Sequence, residues 1–269
     1  MNPFDVIATD LDGTFLTDDQ QVPQINAHAV RVAARRGIPT IYASGRPVRW
    51  FGVLDELVDT HGWAVAANGA VTLDLAAHRV VHARTMSAAL IGEVTHEIRR
   101  MLPTAGFAVE YLSAWGAEPH FLQRTAVPDL QAPMSELLER GSVVKLLVVD
   151  PATPTEDLAE AVHELVDDRF TVTFSHVAQA GMLELSAAGV SKALALAELL
   201  DDLGLAASRM IAFGDMPNDL AMLALAGQGF TMSRAHPSVL AAGYRASGDN
   251  NDAGVGRTIL QLLGEPLHD

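Results

Sequence analysis

The chain has 269 residues, of which 49% are hydrophobic and 19% charged, a composition typical of a globular protein with one large or two ordinary domains. Its 18 basic and 33 acidic residues give a formal net charge of −15, which disfavours binding to nucleic acids and to anionic membranes. It contains no cysteine, which excludes disulfides, thiolate metal sites and a cysteine nucleophile. Neither a basic N-terminal segment with a long apolar run nor an uncharged apolar stretch of about 18 residues occurs, so the sequence predicts a cytoplasmic protein without a transmembrane helix.

The first 80 residues alternate between apolar runs typical of buried strands and amphipathic stretches typical of helices. Strands are predicted over 4–9, 39–43 and 64–67, and helices over 24–36 and from Pro47 onward. Short joints between strand, helix and strand favour a parallel sheet covered by helices.

The middle of the chain has a different pattern. Phe170, Val172 and Phe174 alternate with polar residues, which predicts a half-exposed antiparallel strand with a hairpin partner over 181–186. Residues 84–186 are therefore expected to form a separate α+β unit with an open-faced sheet. Its other predicted elements are a helix over 87–101, two strand-like pieces within 105–125, a strand over 143–149 and a helix that begins at the capping-box sequence 153–156.

The last part of the chain returns to the first pattern. The predicted elements are a helix over 191–203 with Ser191 as its N-cap, a strand over 210–213, a helix over 218–226 and a last short strand over 230–232. The sequence thus predicts an α/β fold: a parallel, Rossmann-like sheet with helices on both faces. This core is expected over 1–83 and 187–269, with an α+β cap domain inserted over 84–186.

Polar residues follow three of the predicted parallel strands at the point where each strand ends. Because ligands bind outside the carboxyl ends of such strands, we expect these residues to converge in one crevice. They are Asp10-Leu11-Asp12, Ser44-Gly45 and Gly214-Asp215, joined by Lys192 in the first turn of a helix and by Asn218 and Asp219 nearby.

Carboxylates brought together in this way require a compensating cation, and oxygen ligands without thiols favour Mg²⁺. One carboxylate can then attack a phosphoryl group as a nucleophile, and a second can act as general acid and then as general base. Lys192, the metal and backbone N–H groups would neutralise the transferring oxygens. Gly13 allows a sharp turn directly after the two aspartates, and Thr14 is placed to hydrogen-bond a neighbouring carboxylate.

Each of these motifs also has a structural explanation when taken alone. Asp-x-Asp-Gly is a common turn, Ser-Gly ends many strands, and a lysine in a first helical turn is usually solvated. Residues 214–219 have the pattern of a turn followed by a capped helix. Their occurrence together, each at the predicted sheet edge, favours a catalytic site.

The four motifs together resemble those of the haloacid dehalogenase-like hydrolases. The layout is similar to that of the Cof-type phosphatases of this superfamily, in which an α+β cap is inserted between the second and third motifs. The resemblance covers essentially the whole chain. The matching segments are Asp10-Leu11-Asp12-Gly13-Thr14, Ser44-Gly45-Arg46, Gly189-Val190-Ser191-Lys192 and Gly214-Asp215-Met216-Pro217-Asn218-Asp219, with Asn68-Gly69-Ala70 and Asn251-Asp252-Ala253-Gly254-Val255 fitting the same subgroup.

The resemblance implies a role for each matching residue. Asp10 would be the nucleophile that forms an aspartyl-phosphate, and Asp12 would be the general acid and base. Asp10, Asp215 and the backbone carbonyl of Asp12 would hold Mg²⁺, and Asp219 would support Lys192 or metal-bound water. The groups implied to bind the phosphoryl group are Ser44, the N–H groups of Gly45 and Leu11, Lys192 and Asn218.

Two segments depart from the common pattern of the family. Met216-Pro217 replaces small or polar residues, and Ser233-Arg234-Ala235 stands where Gly-Asn-Ala is usual. Neither segment includes one of the four catalytic positions, so the departures bear on loop geometry near the metal and leave the implied reaction class unchanged.

The leading interpretation is a Mg²⁺-dependent phosphatase acting on phosphomonoesters of small metabolites, such as sugar phosphates, without nucleic-acid or membrane partners. A phosphomutase or a dedicated sugar-phosphate phosphatase with the same core is the nearest alternative. A phospho-acceptor signalling module also uses clustered aspartates around Mg²⁺, but Asp12 favours turnover over a long-lived phosphoaspartate, and the insertion over 84–186 suits a lid over a substrate. A catalytically inactive binding protein would not need every motif residue.

Overall fold

The computed structural model describes residues 2–121 and 127–266, and the chain divides into two compact units. Unit 1 comprises Met1–Arg46, Trp50–His82 and Ser191–Asp269, and unit 2 comprises Pro47–Arg49 and Ala83–Val190. The divisions at 82/83 and 190/191 lie near the predicted boundaries at 83/84 and 186/187, and the short segment 47–49 was not predicted to group with the inserted residues. Residues 122–125 of the predicted strand region within 105–125 lie outside the described residues.

Strands and α-helices follow one another along the described residues of both units. The strands are β1 (Val6–Thr9), β2 (Thr40–Ala43), β3 (Trp63–Ala66), β4 (Val71–Asp74), β5 (Arg79–Ala83), β6 (Gly106–Glu110), β7 (Trp115–Ala117), β8 (Leu130–Gln131), β9 (Lys145–Asp150), β10 (Phe170–Thr173), β11 (Gly181–Ala187), β12 (Met210–Gly214), β13 (Gln228–Met232) and β14 (Arg245–Gly248). The α-helices are α1 (Gln24–Arg35), α2 (Ala88–Met101), α3 (Met134–Glu139), α4 (Thr155–Val166), α5 (Lys192–Leu203), α6 (Leu220–Leu225), α7 (Pro237–Ala241) and α8 (Gly254–Leu263).

Unit 1 is built on an eight-stranded sheet with the order β14-β13-β12-β1-β2-β3-β4-β5. Neighbouring strands from β14 to β3 are parallel, and β4 pairs antiparallel with β3. Every residue of β1, β2 and β12 is buried, as expected for central strands covered on both faces. The predicted α/β fold with a parallel sheet is confirmed.

Helices cover both faces of this sheet. Val6 and Ala8 of β1 pack in one core with Leu196 and Leu199 of α5 and with Met222 of α6. Because successive strand residues point to opposite faces, the alternate residues of β1 face the other side, where α1 and α8 pack together and contact β2 and β14. This arrangement brings the carboxyl ends of β1, β2 and β12 to one edge.

Unit 2 contains a six-stranded, mainly antiparallel sheet with the order β10-β11-β9-β6-β7-β8. One face carries α2, α3 and α4, whose apolar residues pack against Phe107, Val109, Leu146, Val148 and Leu183 of the sheet. The antiparallel pairing of β10 with β11 confirms the predicted hairpin partners. None of the helices in the described ranges of either unit is long and apolar enough to span a membrane.

Three sequence predictions differ from the structure. The capping box at 153–156 does not form, because Thr153 Oγ1 donates to Asp150 Oδ2 at 2.6 Å and Pro154 occupies the N-cap of α4. The helix predicted from Pro47 is a 3₁₀ helix over Val48–Thr60. The strand over 230–232 is not the last one, since the short edge strand β14 follows it.

Candidate active site

The segment after β1 places Asp12 and Gly13 in a single wide turn over Leu11–Phe15, which follows Asp10 directly. Asp10 N donates to Phe213 O at 2.9 Å, and the turn closes with a hydrogen bond of 2.8 Å from Leu16 N to Leu11 O. Gly13 has φ +74, and a Cβ atom there would lie 2.5 Å from Asp215 Oδ2. The turn therefore needs glycine both for its backbone conformation and for the close approach of Asp215.

Lys192 joins two buried aspartates from different strand ends. Its Nζ donates to Asp10 Oδ1 and to Asp219 Oδ1, each at 2.6 Å. The side chains of Lys192, Asp10 and Asp219 are 1%, 8% and 0% exposed, so solvent screens these pairs little. Lys192 reaches this position because it opens α5, where the hydroxyl of Ser191 accepts from Leu194 N as the predicted N-cap.

Asp219 organises the loop that carries Asp215. Its Oδ2 accepts from the backbone N–H groups of Asp215 and Met216, at 3.1 and 3.0 Å, while its Oδ1 accepts from Lys192. Both oxygens are thus engaged within the protein. The sequence predicted that Asp219 supports Lys192 or metal-bound water, and the contact in the structure is with Lys192.

Asp10, Asp215 and Asp219 form a cluster in which one carboxylate oxygen of each residue lies within 4.8 Å of the other two. Thr14 Oγ1 donates to Asp215 Oδ1 at 2.8 Å, as the sequence predicted for a neighbouring carboxylate. Asp10 Oδ2 and Asp215 Oδ2 accept no hydrogen bond from the described residues. Carboxylate oxygens gathered in this way are the hard donors that Mg²⁺ prefers.

The electrostatics of the cluster favour bringing in a cation. Burial raises the pKa of Asp10 well above its ordinary value, although the nearby Lys192 acts in the opposite direction. Burial, reinforced by the charge of Asp219, raises the pKa of Asp215 to about 7. Burial alone would lower the pKa of Lys192, but the charges of Asp10 and Asp219 outweigh it and raise this pKa.

Asp12 lies apart from the buried cluster and is held by Arg46. Arg46 Nε donates to Asp12 Oδ2 at 2.8 Å and Arg46 Nη2 donates to Asp12 Oδ1 at 2.7 Å. The Asp12 side chain is 41% exposed and the Arg46 side chain 10%. The motif Ser44-Gly45-Arg46 includes Arg46, but the sequence analysis assigned no role to this residue. Its position two residues after Ser44 is the sequence feature that could have indicated a place in the site.

The predicted phosphate-binding residues lie on the loops at the same strand ends. Ser44 is buried, its N donates to Val65 O at 2.8 Å, and its Oγ accepts from Arg46 N at 3.1 Å; Gly45 lies between them. Leu11, whose N–H was also predicted to bind phosphate, begins the wide turn after Asp10. Asn218 Nδ2 donates to Asn68 Oδ1 at 3.0 Å, and Asn218 Oδ1 is buried without a partner among the described residues.

Asn68 is a second residue to which sequence reasoning gave no role. It has φ +57, its N donates to Ser44 O at 3.0 Å, and its side chain accepts from Asn218. The sequence feature that could have pointed to Asn68 is the Asn68-Gly69-Ala70 segment, which follows the third predicted strand. At Gly69 a Cβ atom would lie 2.2 Å from Ser191 O, so this segment packs tightly against the start of α5.

Comparison with known proteins identifies the family to which this arrangement belongs. The sequence profile of the haloacid dehalogenase-like hydrolases matches residues 7–259. The chain belongs to this family. The match spans both units, so the family includes the inserted residues as well as the parallel sheet.

Relatives of this family member cover nearly its whole length. It is 24% identical to the 5-amino-6-(5-phospho-D-ribitylamino)uracil phosphatase of Bacillus subtilis, over 94% of this chain and 94% of that protein. It is 26% identical to the HMP-PP phosphatase of Cronobacter sakazakii, over 87% of this chain and 86% of that protein. Among solved structures, the subclass IIB sugar phosphatase BT4131 superposes with a TM-score of 0.80 at 18% identity, covering 96% of this chain and 98% of that one, which shows the same fold.

Proposed function

We propose that the protein is a Mg²⁺-dependent phosphatase that hydrolyses phosphomonoesters of small metabolites through an aspartyl-phosphate on Asp10. The observation that carries the proposal is the buried ion pair between Lys192 and Asp10, 2.6 Å long, at the end of β1 and beside Asp215. A carboxylate held by an ammonium next to two further carboxylates is suited to attack a phosphoryl group only with additional positive charge at the site. The family membership and the phosphatase relatives support the same reaction class.

In the first half-reaction an Asp10 carboxylate oxygen forms a bond to phosphorus, and the bond from phosphorus to the ester oxygen breaks. Asp12 gives its proton to that departing oxygen, so the organic group leaves as a neutral alcohol. Arg46 orients Asp12 through its two hydrogen bonds. Lys192 and Asn218, with Ser44 and the N–H groups of Leu11 and Gly45, would bind the phosphoryl oxygens.

In the second half-reaction Asp12 takes a proton from water as the water oxygen bonds to phosphorus. The bond between phosphorus and Asp10 then breaks and inorganic phosphate leaves, which restores both carboxyl groups. Asp10, Asp215 and the backbone carbonyl of Asp12 would hold Mg²⁺, which when bound supplies positive charge against the transferring oxygens.

The substrate class follows from the relatives and from charge. The named relatives act on phosphorylated metabolites, and the net charge of −15 argues against nucleic acids and anionic membranes as partners. A phosphomutase or a dedicated sugar-phosphate phosphatase would use the same Asp10 chemistry. We favour hydrolysis over a signalling role, because an acid and base at Asp12 promotes breakdown of a phosphoaspartate.

We further propose that residues 84–186 form the cap that selects the substrate. All four motifs lie outside this range, so changes within it should alter the choice of substrate more than the chemistry. The ratios of kcat/KM among several phosphate esters measure this selectivity. Changes in unit 2 that leave every ratio as it was would contradict the proposal.

Hydrolysis of p-nitrophenyl phosphate tests the proposed function. EDTA should abolish the activity and Mg²⁺ should restore it, whereas Ca²⁺ should restore little because its larger and looser coordination shell misplaces the nucleophile. Asp215→Asn should remove the Mg²⁺ response, and the matched control Asp19→Asn, at an exposed position, should keep it. Full activity in excess EDTA would contradict the metal assignment.

A further inference from the structure

Two buried asparagines hold the end of the wide turn that carries Asp12. Asn26 Nδ2 donates to Phe15 O at 2.7 Å, and Asn250 Nδ2 donates to Leu16 O at 2.9 Å. Asn26 belongs to α1, and Asn250 lies in the loop between β14 and α8. Two separate elements of unit 1 therefore hold two consecutive carbonyl groups at the end of the turn.

The wide turn is too short and too irregular to support itself as a regular helix does. Two hydrogen bonds close it, from Phe15 N to Asp10 O at 3.3 Å and from Leu16 N to Leu11 O at 2.8 Å. Inside it, Asp12 has non-helical backbone angles, with φ −74 and ψ 125. The carbonyl groups at the end of a helical turn have no partner within the turn, and here the two asparagines supply one.

Each of the two amide groups is also fixed at its oxygen. Gly256 N of α8 donates to Asn26 Oδ1 at 2.7 Å, and Arg234 Nη2 donates to Asn250 Oδ1 at 2.9 Å. Asn250 Nδ2 makes a second hydrogen bond, to Asp18 Oδ1 at 3.0 Å. Turning either amide over would set its oxygen against a carbonyl oxygen, so the orientation of each amide is determined.

Both asparagine side chains are shielded from solvent. Asn26 is 0% exposed and Asn250 is 2% exposed. Asparagine is mostly found at protein surfaces, because a buried amide is unfavourable unless it is hydrogen-bonded. A fully satisfied buried polar network is satisfied in one geometry only, whereas apolar packing tolerates several. Two such amides at the end of one turn indicate that the placement of this turn matters.

We propose that Asn26 and Asn250 are positioning residues for Asp12, and this inference rests on the proposed phosphatase function. The two amides fix the backbone of the turn, while Arg46 holds the Asp12 carboxylate through hydrogen bonds of 2.8 and 2.7 Å. Without the amides the turn can shift under Asp12. Its carboxyl group is then misplaced for giving a proton to the departing oxygen and for taking one from water.

Asp10 has support of its own, which makes the inference specific to the acid and base. It precedes the turn, its N donates to Phe213 O at 2.9 Å, and Lys192 Nζ donates to its Oδ1 at 2.6 Å. Loss of either amide should therefore weaken proton transfer by Asp12 more than attack by Asp10.

The dependence of hydrolysis on the leaving group separates a positioning role from a structural one. Phenyl phosphate and p-nitrophenyl phosphate have similar shapes, but phenol is the poorer leaving group and needs the proton from Asp12 more. The ratio of kcat/KM for phenyl phosphate to that for p-nitrophenyl phosphate does not depend on the fraction of enzyme that is folded. Asn26→Leu and Asn250→Leu should each lower this ratio by about tenfold. Asn26→Ala and Asn250→Ala remove the same donors without added bulk and give the same test where leucine prevents folding.

Thr258→Val is the matched control. Thr258 Oγ1 and Ser247 Oγ lie 3.0 Å apart, and this hydrogen bond joins α8 to β14 rather than to the wide turn. The variant loses a hydrogen bond of unit 1 and should keep the ratio. A fall as large as that in the asparagine variants would show that any loosening of unit 1 lowers the ratio, and would contradict the inference.

The variant Asp12→Asn separates this inference from the proposed function. It should lower the ratio more than the asparagine variants do, and adding Asn26→Leu to it should lower the ratio no further, because the amide acts through Asp12. If Asp12→Asn lowers the ratio and both asparagine variants keep it, or if the double variant shows a further independent fall, the positioning role is wrong and the phosphatase proposal stands. If Asp12→Asn itself keeps the ratio, Asp12 is not the acid, and the inference fails together with that part of the proposed function.

Discussion

Asp215→Asn should stabilise the metal-free protein at neutral and alkaline pH while removing its response to Mg²⁺. The Asp215 carboxylate is held against Asp10 and Asp219, and its pKa is about 7 compared with an ordinary value of 3.8, with burial as the largest cause. At 1.36 kcal/mol for each tenfold change in proton affinity, that difference corresponds to up to about 4 kcal/mol. The asparagine keeps an oxygen that can accept from Thr14 and carries no charge.

The pH dependence of this effect has a definite sign. Below about pH 4 Asp215 is protonated in both the folded and the unfolded protein, so it contributes no pH-dependent stability. Between pH 4 and 7 the unfolded chain ionises Asp215 while the folded protein keeps the proton, so the free energy of unfolding falls as pH rises. Above pH 7 the loss is complete, and Asp215→Asn should be the more stable protein by a few kcal/mol.

Urea unfolding in EDTA across pH 5 to 8 measures this difference, with Asp19→Asn as the control for loss of one carboxylate. Mg²⁺ should then raise the stability of the unaltered protein and of the control, because a ligand that binds only the folded state stabilises it. It should leave Asp215→Asn unchanged. A variant that is less stable than the unaltered protein at pH 8 without metal, or one that Mg²⁺ stabilises equally, would refute this reasoning.

Two further substitutions test the buried cluster. Lys192→Met leaves Asp10 and Asp219 buried without their counter-charge. It should therefore lower the free energy of unfolding by about 3 kcal/mol, measured by urea unfolding at pH 7. A loss smaller than the error of the measurement would contradict the stabilising role of the two ion pairs. Gly13→Ala should weaken Mg²⁺ binding, measured by calorimetry, because its Cβ would lie 2.5 Å from Asp215 Oδ2. The control Gly37→Ala has the same φ of +74 but no atom within 4 Å of the added Cβ, so it should show only the backbone cost of about 1 kcal/mol in stability. Equal Mg²⁺ affinities in the two variants would contradict the proposed contact with Asp215.

The parts of the fold that could be predicted are those in which one strong local signal dominates. Central parallel strands such as β1 and β12 are buried on both faces, so they appear in the sequence as unbroken apolar runs that end at polar residues. The edge strand β14, Arg245–Gly248, is short, polar and largely unburied, so its sequence has no such run. The capping box at Thr153 was wrong because a competing acceptor, Asp150, lies three residues earlier and binds the same hydroxyl.

The candidate site, like the fold, could be predicted from the sequence only in part. The side chains at the strand ends could be placed at one edge because parallel topology fixes where strands end. The partner of each side chain could not, because Lys192 meets Asp10 across 182 residues of sequence and Arg46 meets Asp12 across 34. The burial of Glu110 and Lys145 on the strands of unit 2 was not predicted, because no sequence signal separates a buried charge on a strand from a solvated one.

The phosphorylation of Asp10 is the central claim, and intact-protein mass spectrometry after a rapid acid quench tests it most directly. Asp12→Asn removes the acid and base but keeps the nucleophile, so with Mg²⁺ and an ester that has a good leaving group it should still transfer the phosphoryl group. Breakdown of the intermediate should slow by about 10²–10⁴-fold. Asp12→Asn is therefore expected to accumulate a phosphoenzyme that is stable to acid and labile to hydroxylamine, with the label on Asp10, and Asp10→Asn to show none. A label in Asp10→Asn, or one that maps to any other residue, would contradict the account.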